Sequence, residues 1–339
     1  MTAATHTQQP EGLESALHAP VMADAVLAAL DPCKAGVYVD ATFGRGGYSR
    51  AMLEAGAGHV WAIDRDPEAV AAGADLAAAH PGRLNLVRGR FGDLDRLLPD
   101  HGIDAVDGIA FDLGVSSPQI ETPERGFSFR HDGPLDMRMS PEGPSAAEVV
   151  NEMPESDLAG IIRDYGEEKK ARRVAKAIVA ARARGRITRT GALAEIVRGA
   201  VGPAKGNEID PATRTFQALR IHVNDELGEL QRGLRAAEFM LREGGRLVVV
   251  AFHSLEDRLV KQFLRERSGD LPRASRHSPI AATEGPAPTF SLIERKAGKP
   301  TNAEAAANPR ARSARLRAAV RTAAPARPDA GTGDDGGGS

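Results

Sequence analysis

Short apolar runs alternate with stretches of helical spacing over the first third of the chain. Strand-like runs fall at 37–40, 59–63, 84–88 and 107–112. A helix is predicted over 20–30, where Val21, Ala25, Val26 and Leu30 recur near every 3.6 residues, and helical patterns such as 67–80 separate the first three strands. Strand and helix alternating in this way predict an α/β fold with a doubly wound, mostly parallel sheet covered on both faces.

From about 123 to 153 the pattern gives way to a loop region rich in Pro, Gly and Met. Helical stretches follow at 155–184 and 190–201, the second carrying Leu193, Ile196, Val197 and Val201. Another spans 211–241, with Glu243-Gly244-Gly245 as its stop signal. A strand at 246–252 and a helix at 255–267 then resume the α/β pattern. Residues 125–222 therefore read as a helical insertion that splits a domain made of 18–124 and 223–321. Residues 268–288 read as loop, 289–293 as a short strand, and 312–321 as a final edge strand with Leu316, Ala318 and Val320 on one side. Residues 1–17 and the Pro- and Gly-rich 322–339 read as disordered.

At 339 residues the chain is long enough for about two domains, and 42% hydrophobic content supports ordinary cores. A single cysteine, Cys33, excludes an internal disulfide and fits a reducing compartment; it reads as a small buried apolar residue. Residues 1–12 lack the apolar core of a signal peptide. Apolar runs such as 247–252 fall far short of the ~20 residues that span a bilayer. A soluble, cytoplasmic protein with no membrane partner is expected.

The net charge of −2 hides a segregation. Residues 163–220 carry +8, residues 295–327 carry another +8, and the rest of the chain carries −18. Two basic segments predict a polyanion partner, against the plainer reading that Lys and Arg solvate helix faces.

The candidate chemistry begins at Val37-Tyr38-Val39-Asp40, a strand that runs into the turn Gly44-Arg45-Gly46-Gly47-Tyr48-Ser49; a second strand ends at Asp64. A strand, a Gly-rich turn, a helix and a strand ending in an acid form a nucleoside-binding unit, with the acid placed for ribose hydroxyls. A dinucleotide would want Gly-x-Gly-x-x-Gly and a pyrophosphate on the helix N-terminus. The third spaced glycine is missing here. S-adenosylmethionine has no phosphate; loop amides and Asp40 suit its amino-acid end and Asp64 its ribose. Phe91, just after the third strand, either stacks on adenine or belongs to the core. Asp112 ends the fourth strand, where ligands of doubly wound sheets bind, or is a buried capping residue. His253 either faces the crevice or is a hydrogen-bonded structural histidine. The nine histidines and Cys33 form no metal-ligand spacing, so no metal is expected.

Eight segments in order resemble one family: 40–47 (DATFGRGG), 62–67 (AIDRDP), 111–119 (FDLGVSSPQ), 125–129 (RGFSF), 132–139 (DGPLDMRM), 213–218 (TRTFQA), 252–258 (FHSLEDR) and 308–313 (NPRARS). It is the bacterial small-subunit ribosomal RNA methyltransferase H family, also called MraW, and the resemblance runs from about His18 to Arg321. The resemblance implies a Rossmann-like class I methyltransferase with an inserted helical domain. Its cofactor would be S-adenosylmethionine, and it would methylate N4 of a cytidine in the decoding region of 16S rRNA, free or in the small ribosomal subunit. By motif it implies cofactor contacts from Gly46, Gly47, Tyr48, Asp64, Phe91, Asp112 and Gln119. The family usually has histidine where this chain has Tyr48, a change that a backbone contact survives.

Asp112 is the candidate catalytic acceptor for an N4 hydrogen, with Ser116 or Ser117 in support, unless it only holds the cofactor. Arg172, Arg173, Lys176, Arg214, Arg310 and Arg312 are candidate RNA contacts, with Arg182, Arg184, Arg186, Arg315 and Arg317 in the same basic segments. The competing readings are an NAD-dependent oxidoreductase, a non-catalytic assembly factor that binds pre-ribosomal RNA, and a small-molecule methyltransferase. The last leaves the insertion's charge unexplained.

Overall fold

The computed structural model describes residues 20–203, 210–270 and 286–327. Strands β1 (Val37–Asp40), β2 (His59–Asp64), β3 (Leu84–Arg88), β4 (Val106–Asp112), β5 (Leu241–Ala251), β6 (Phe290–Leu292) and β7 (Arg315–Arg321) form one sheet in the order β3-β2-β1-β4-β5-β7-β6. The first five pair in parallel, and β7 runs antiparallel to both β5 and β6. The strand order reverses between β1 and β4, which opens a crevice at their C-terminal ends.

Side chains alternate along these strands, so one sequence period supplies two cores. Val39, Ile63, Ile109, Phe111, Leu247 and Val249 pack on one face with Leu230 and Leu234 of helix Glu226–Met240. Tyr38, Val60, Ala62, Ala110, Val248 and Val250 pack on the other with Val26 and Met52. Both faces are covered, as the near-continuous apolar strands predict. A third core lies wholly within the insertion and includes Leu135, Ile162, Val174, Ile178, Leu193 and Leu219.

The structure corrects several boundaries. β7 is an interior strand, and the shorter β6 forms the edge. The stretch 155–184 is two helices, Glu155–Asp164 and Ala171–Arg182. Between them Gly166 is required, because a Cβ there would lie 2.6 Å from the carbonyl oxygens of Arg214 and Ile162. The stretch 211–241 is also two helices, Ala212–Asn224 and Glu226–Met240, broken where Asp225 takes a left-handed φ of 50°. Asp tolerates that region better than most residues.

Glu243-Gly244-Gly245 does not stop a helix but lies inside β5, opposite a register shift between Val106 and Gly108. A helix at Ala146–Glu152 interrupts the predicted loop region; its signal is the capping box Ser145…Glu148. Cys33 is exposed, not buried. Residues 322–327 are held in place, with Arg327 donating to the carbonyls of Glu266, Pro286 and Ala287. The readings of 1–17 and 328–339, and the loop reading over 271–285, lie outside the described residues. No helix among the described residues is long and apolar enough to cross a membrane.

The insertion docks onto the sheet domain through polar contacts near the crevice. Glu167 accepts from Ser254 Oγ at 2.5 Å and from Arg258 at 3.1 Å. Asn224, just past the insertion, reaches the insertion's first loop, accepting from Met139 N and donating to Met137 O. Arg125 of that loop reaches Asp66 and Glu68, just beyond β2.

Candidate active site

The crevice holds a cleft of about 400 Å³ lined by the ends of β1, β2 and β4, the turn after β1, and residues 308–313. The turn is built by its glycines. Gly46 has φ 74°, and a Cβ there would lie 2.7 Å from the Phe43 ring. Gly44 has φ 53°, with the Ser116 side chain in ordinary contact distance at 3.7 Å from where a Cβ would lie, and its N–H donates to Asp64 Oδ2 at 2.8 Å. Asp64 Oδ1 accepts from Asp66 N, also at 2.8 Å. Burial raises the Asp64 pKa against these two bonds, which hold it down.

Asp40 is buried and fully bonded. Its Oδ2 accepts from Ser49 N and Ser49 Oγ, and its Oδ1 from Thr42 N. Burial nevertheless pushes its carboxyl up to about 6. Asp112 is the contrasting case. Its backbone N–H donates to Thr42 Oγ1, while its Oδ1 is buried with no hydrogen-bond partner. Burial, then the charge of Asp40, push its carboxyl up to about 8, opposed by Arg310 and by the nearby Tyr48 hydroxyl. A buried, unpartnered carboxylate oxygen on the wall of a cleft is costly unless a ligand donor meets it.

The cofactor residues implied by the motifs mostly converge. Gly47, Tyr48, Asp64, Phe91, Asp112 and Gln119 all line the cleft. Gly46 supports the turn from behind. The Tyr48 ring is buried and its hydroxyl donates to Val21 O at 2.5 Å, so its side chain anchors the start of the chain to the turn. Phe91 combines its two readings: it packs edge-on against Phe111, with centroids 5.4 Å apart, and also faces the cleft. Gln119 is tied down at both ends of its amide. It closes a capping box with Ser116, accepting from Ser116 N, and donates to Asp66 Oδ2.

These features fit S-adenosylmethionine. A glycine turn leaves backbone within reach of an amino-acid group, and the distal acid Asp64 suits a diol. An aromatic ring lies beyond it, and no cradle for a pyrophosphate is needed.

The proposed substrate residues separate into two groups. Arg310 lines the cleft, where its Nη1 donates to Ser117 Oγ and its Nη2 to Val115 O. Arg172, Arg173 and Lys176 lie on the exposed face of helix Ala171–Arg182, outside the cleft lining, and their side chains have no partner among the described residues. Arg214 is exposed and 3.8 Å from Glu168, and Arg312 donates to Ala305 O. Most of the C-terminal basic segment is internal stitching. Arg317 forms a two-pronged pair with Asp257, and Arg321 is buried against four carbonyls.

Sequence reasoning missed Arg65, Arg220 and Glu229, which also line the cleft. Arg65 sits directly after Asp64 and pairs with Glu229 at 2.8 Å. Glu226, His253 and Glu256 bring three ligand-type atoms within 4.8 Å of one another. That set is organised around a guanidinium: both Glu226 oxygens are bound by Arg220. His253 caps helix Ser254–Ser268 by accepting from Glu256 N at Nδ1. Its Nε2 lies 3.1 Å from Glu256 Oε1 without the geometry of a hydrogen bond.

Residues 15–322 match the MraW methylase family. The ribosomal RNA small subunit methyltransferase H of Paramagnetospirillum magneticum is 63% identical over 309 residues, covering 91% of this chain and 97% of that protein. The protein of the same name from Rhodospirillum centenum is 62% identical over 311 residues, covering 92% and 94%. The one from Rhodospirillum rubrum is 57% identical over 312 residues, covering 91% and 95%. With a glycine turn, three strand-end acids and a cleft at the sheet's reversal already in place, the chain belongs to the MraW methylase family.

Proposed function

We propose that this chain is an S-adenosylmethionine-dependent methyltransferase of small-subunit ribosomal RNA, acting on N4 of a cytidine in the decoding region (position 1402 by the family resemblance). The observation that carries the reading is the buried, unpartnered Oδ1 of Asp112 in the cleft. The names of the relatives and the free basic face of helix Ala171–Arg182 support an RNA substrate.

The turn 44–48 and Asp64 would hold the donor by its amino-acid end and its sugar, with Phe91 at the base. When bound, S-adenosylmethionine supplies an electrophilic methyl group on a sulfonium. The rest falls to the protein. The exocyclic amine of cytosine is a weak nucleophile because its lone pair is delocalised into the ring. Asp112 Oδ1, ionised, accepts one N4 hydrogen and concentrates that lone pair on nitrogen. The new N–C bond then releases a proton from N4, and Asp112 Oδ1 takes it. A carboxyl poised at about 8 is matched to that task near neutral pH. Alignment in the cleft supplies a further share of the rate. The target base must leave its stack to enter, at a cost of a few kcal/mol, which exposed cations on the insertion offset by holding the phosphates.

The test uses small ribosomal subunits from cells lacking this gene, methyl-labelled S-adenosylmethionine and the purified chain. Digestion and mass spectrometry should find N4-methylcytidine with the wild-type protein and none with Asp112→Ala. Label on another base, or full turnover by Asp112→Ala at saturating cofactor, would overturn the reading.

A further inference from the structure

We propose that Arg220 is a specificity-determining residue: clamped by Glu226, its guanidinium donates to the N3/O2 edge of the cytosine whose N4 amine faces Asp112. The proposal rests on the N4-cytidine reading and adds the residue that selects the base.

Arg220 belongs to the insertion but reaches the cleft of the sheet domain, with its side chain only 18% exposed. Its Nε donates to Glu226 Oε1 at 2.8 Å and its Nη2 to Glu226 Oε2 at 2.9 Å. A planar fork held at two nitrogens has a fixed direction for the third. No hydrogen bond among the described residues holds Nη1. Of the other cations of the cleft, Arg310 is bonded through both terminal nitrogens to the loop after β4, Arg65 is bonded to Glu229 and Asn224 O, and Arg45 sits exposed on the turn after β1, with no Glu226 to fix its direction.

Arg220 is also supported from behind. Glu256 is buried and accepts from Phe252 N at 2.8 Å and His253 N at 3.2 Å. Glu226 and Glu256 together balance the guanidinium, so its charge needs no solvent. Phe252, whose backbone this network fixes, lines the same cleft and offers ring surface to a base.

The edge of cytosine presents an amine donor at N4, an acceptor at N3 and an acceptor at O2. Asp112 Oδ1 is an acceptor and Arg220 Nη1 a donor, so the pair matches that edge. Uracil reverses it, setting O4 against the carboxylate and N3–H against the guanidinium. A site built of buried polar groups rejects a base that leaves them unpaired.

The test compares the wild type with two variants on small subunits from cells lacking this gene, at saturating S-adenosylmethionine. Arg220→Met combined with Glu226→Gln removes the bonded pair together, so neither partner is left charged without the other, while Glu256 keeps its bonds from Phe252 N and His253 N. Arg220→Lys keeps a donor without the fork. The double variant should lose about 10²-fold in kcat, the scale for one active-site donor, with S-adenosylhomocysteine affinity within about threefold of wild type. The Lys variant should recover part of the loss. The slope of log(kcat/KM) against log[KCl] should not change, because a base contact releases no counterion.

Turnover of the double variant within threefold of wild type would overturn the proposal. So would a parallel loss of S-adenosylhomocysteine binding, which marks a structural role, or a salt slope shallower by about one, which marks a phosphate contact. Absence of N4-methylcytidine with the wild-type protein would instead bring down the underlying reading, and the proposal with it.

Discussion

Asp40 and Asp112 end adjacent parallel strands on either side of the sheet's reversal, and the charge of Asp40 is the strongest charge acting on Asp112. Asp40 is satisfied by three donors, whereas Asp112 keeps an unpartnered oxygen. One acid therefore builds the turn, and its charge helps keep the other protonated.

The pH dependence of stability follows from these two raised values. A carboxyl whose pKa is higher folded than unfolded favours the fold below its unfolded value, near 3.9. That contribution fades as pH rises through the folded values of about 6 for Asp40 and about 8 for Asp112. Asp112→Asn removes the second term. It should match the wild type in thermal unfolding near pH 4 and exceed it progressively up to pH 8–9. The gain should be roughly 1–3 kcal/mol, after discounting for the water in the cleft. A constant difference across pH would show that Asp112 titrates normally. In the wild type, kcat/KM should rise about tenfold per pH unit below 8 and then level, because only the ionised carboxylate accepts the N4 proton.

Tyr48 tests the division between backbone and side chain at the turn. Tyr48→Phe leaves the buried Val21 carbonyl without its donor. The expected cost is about 1–3 kcal/mol in denaturant unfolding. S-adenosylhomocysteine affinity should stay within about threefold, for Tyr48→Phe and for Tyr48→His alike, because the turn's backbone faces the ligand. A tenfold loss in Tyr48→Phe would assign the hydroxyl to the cofactor.

Much of the site was legible in the sequence, for a physical reason. Asp40, Asp64 and Asp112 each close an apolar run, and strand ends in a doubly wound sheet are where ligands lie. The motifs imply Gln119 only as a cofactor contact; the capping-box spacing Ser116-Ser117-Pro118-Gln119 that ties its amide to the loop went unread. Arg220 was not legible. Its path to the cleft depends on the left-handed Asp225 that breaks a continuous helical pattern and turns Glu226 back onto the guanidinium. The C-terminal arginines show how composition misleads. Charge counts reveal cations, but not that Arg317 meets an acid 60 residues away.

Asp64 carries two duties, and its variants should separate them. Both of its oxygens hold backbone N–H groups, Gly44 and Asp66. Asp64→Ala leaves both donors to water and removes the acceptor expected to meet the ribose. Calorimetry should show S-adenosylhomocysteine affinity down at least about 10²-fold, the cost of roughly 3 kcal/mol. Unfolding should show a smaller loss of about 1–2 kcal/mol. Asp64→Asn keeps one acceptor and should fall between. Affinity unchanged in Asp64→Ala would move the sugar elsewhere in the cleft.

The two basic segments should behave differently toward RNA. On helix Ala171–Arg182 and the residues just before it, Lys169, Arg172, Arg173 and Lys176 recur at helical spacing on one exposed face. Ala171, Val174, Ala175 and Ile178 occupy the buried face opposite. None of those four cationic side chains is paired among the described residues, so nothing in the protein competes with a phosphate for them. Replacing all four by Gln should raise KM for small subunits and flatten the dependence of log KM on log[KCl] by up to about 3, from 0.7–0.9 per phosphate contact. S-adenosylhomocysteine affinity should not move. Arg317→Ala, by contrast, breaks the two-pronged pair with Asp257. It should lower the melting temperature and leave the salt slope untouched. A flat salt response in the wild type would remove the helix face from the RNA surface; a slope change in Arg317→Ala would return the C-terminal segment to it.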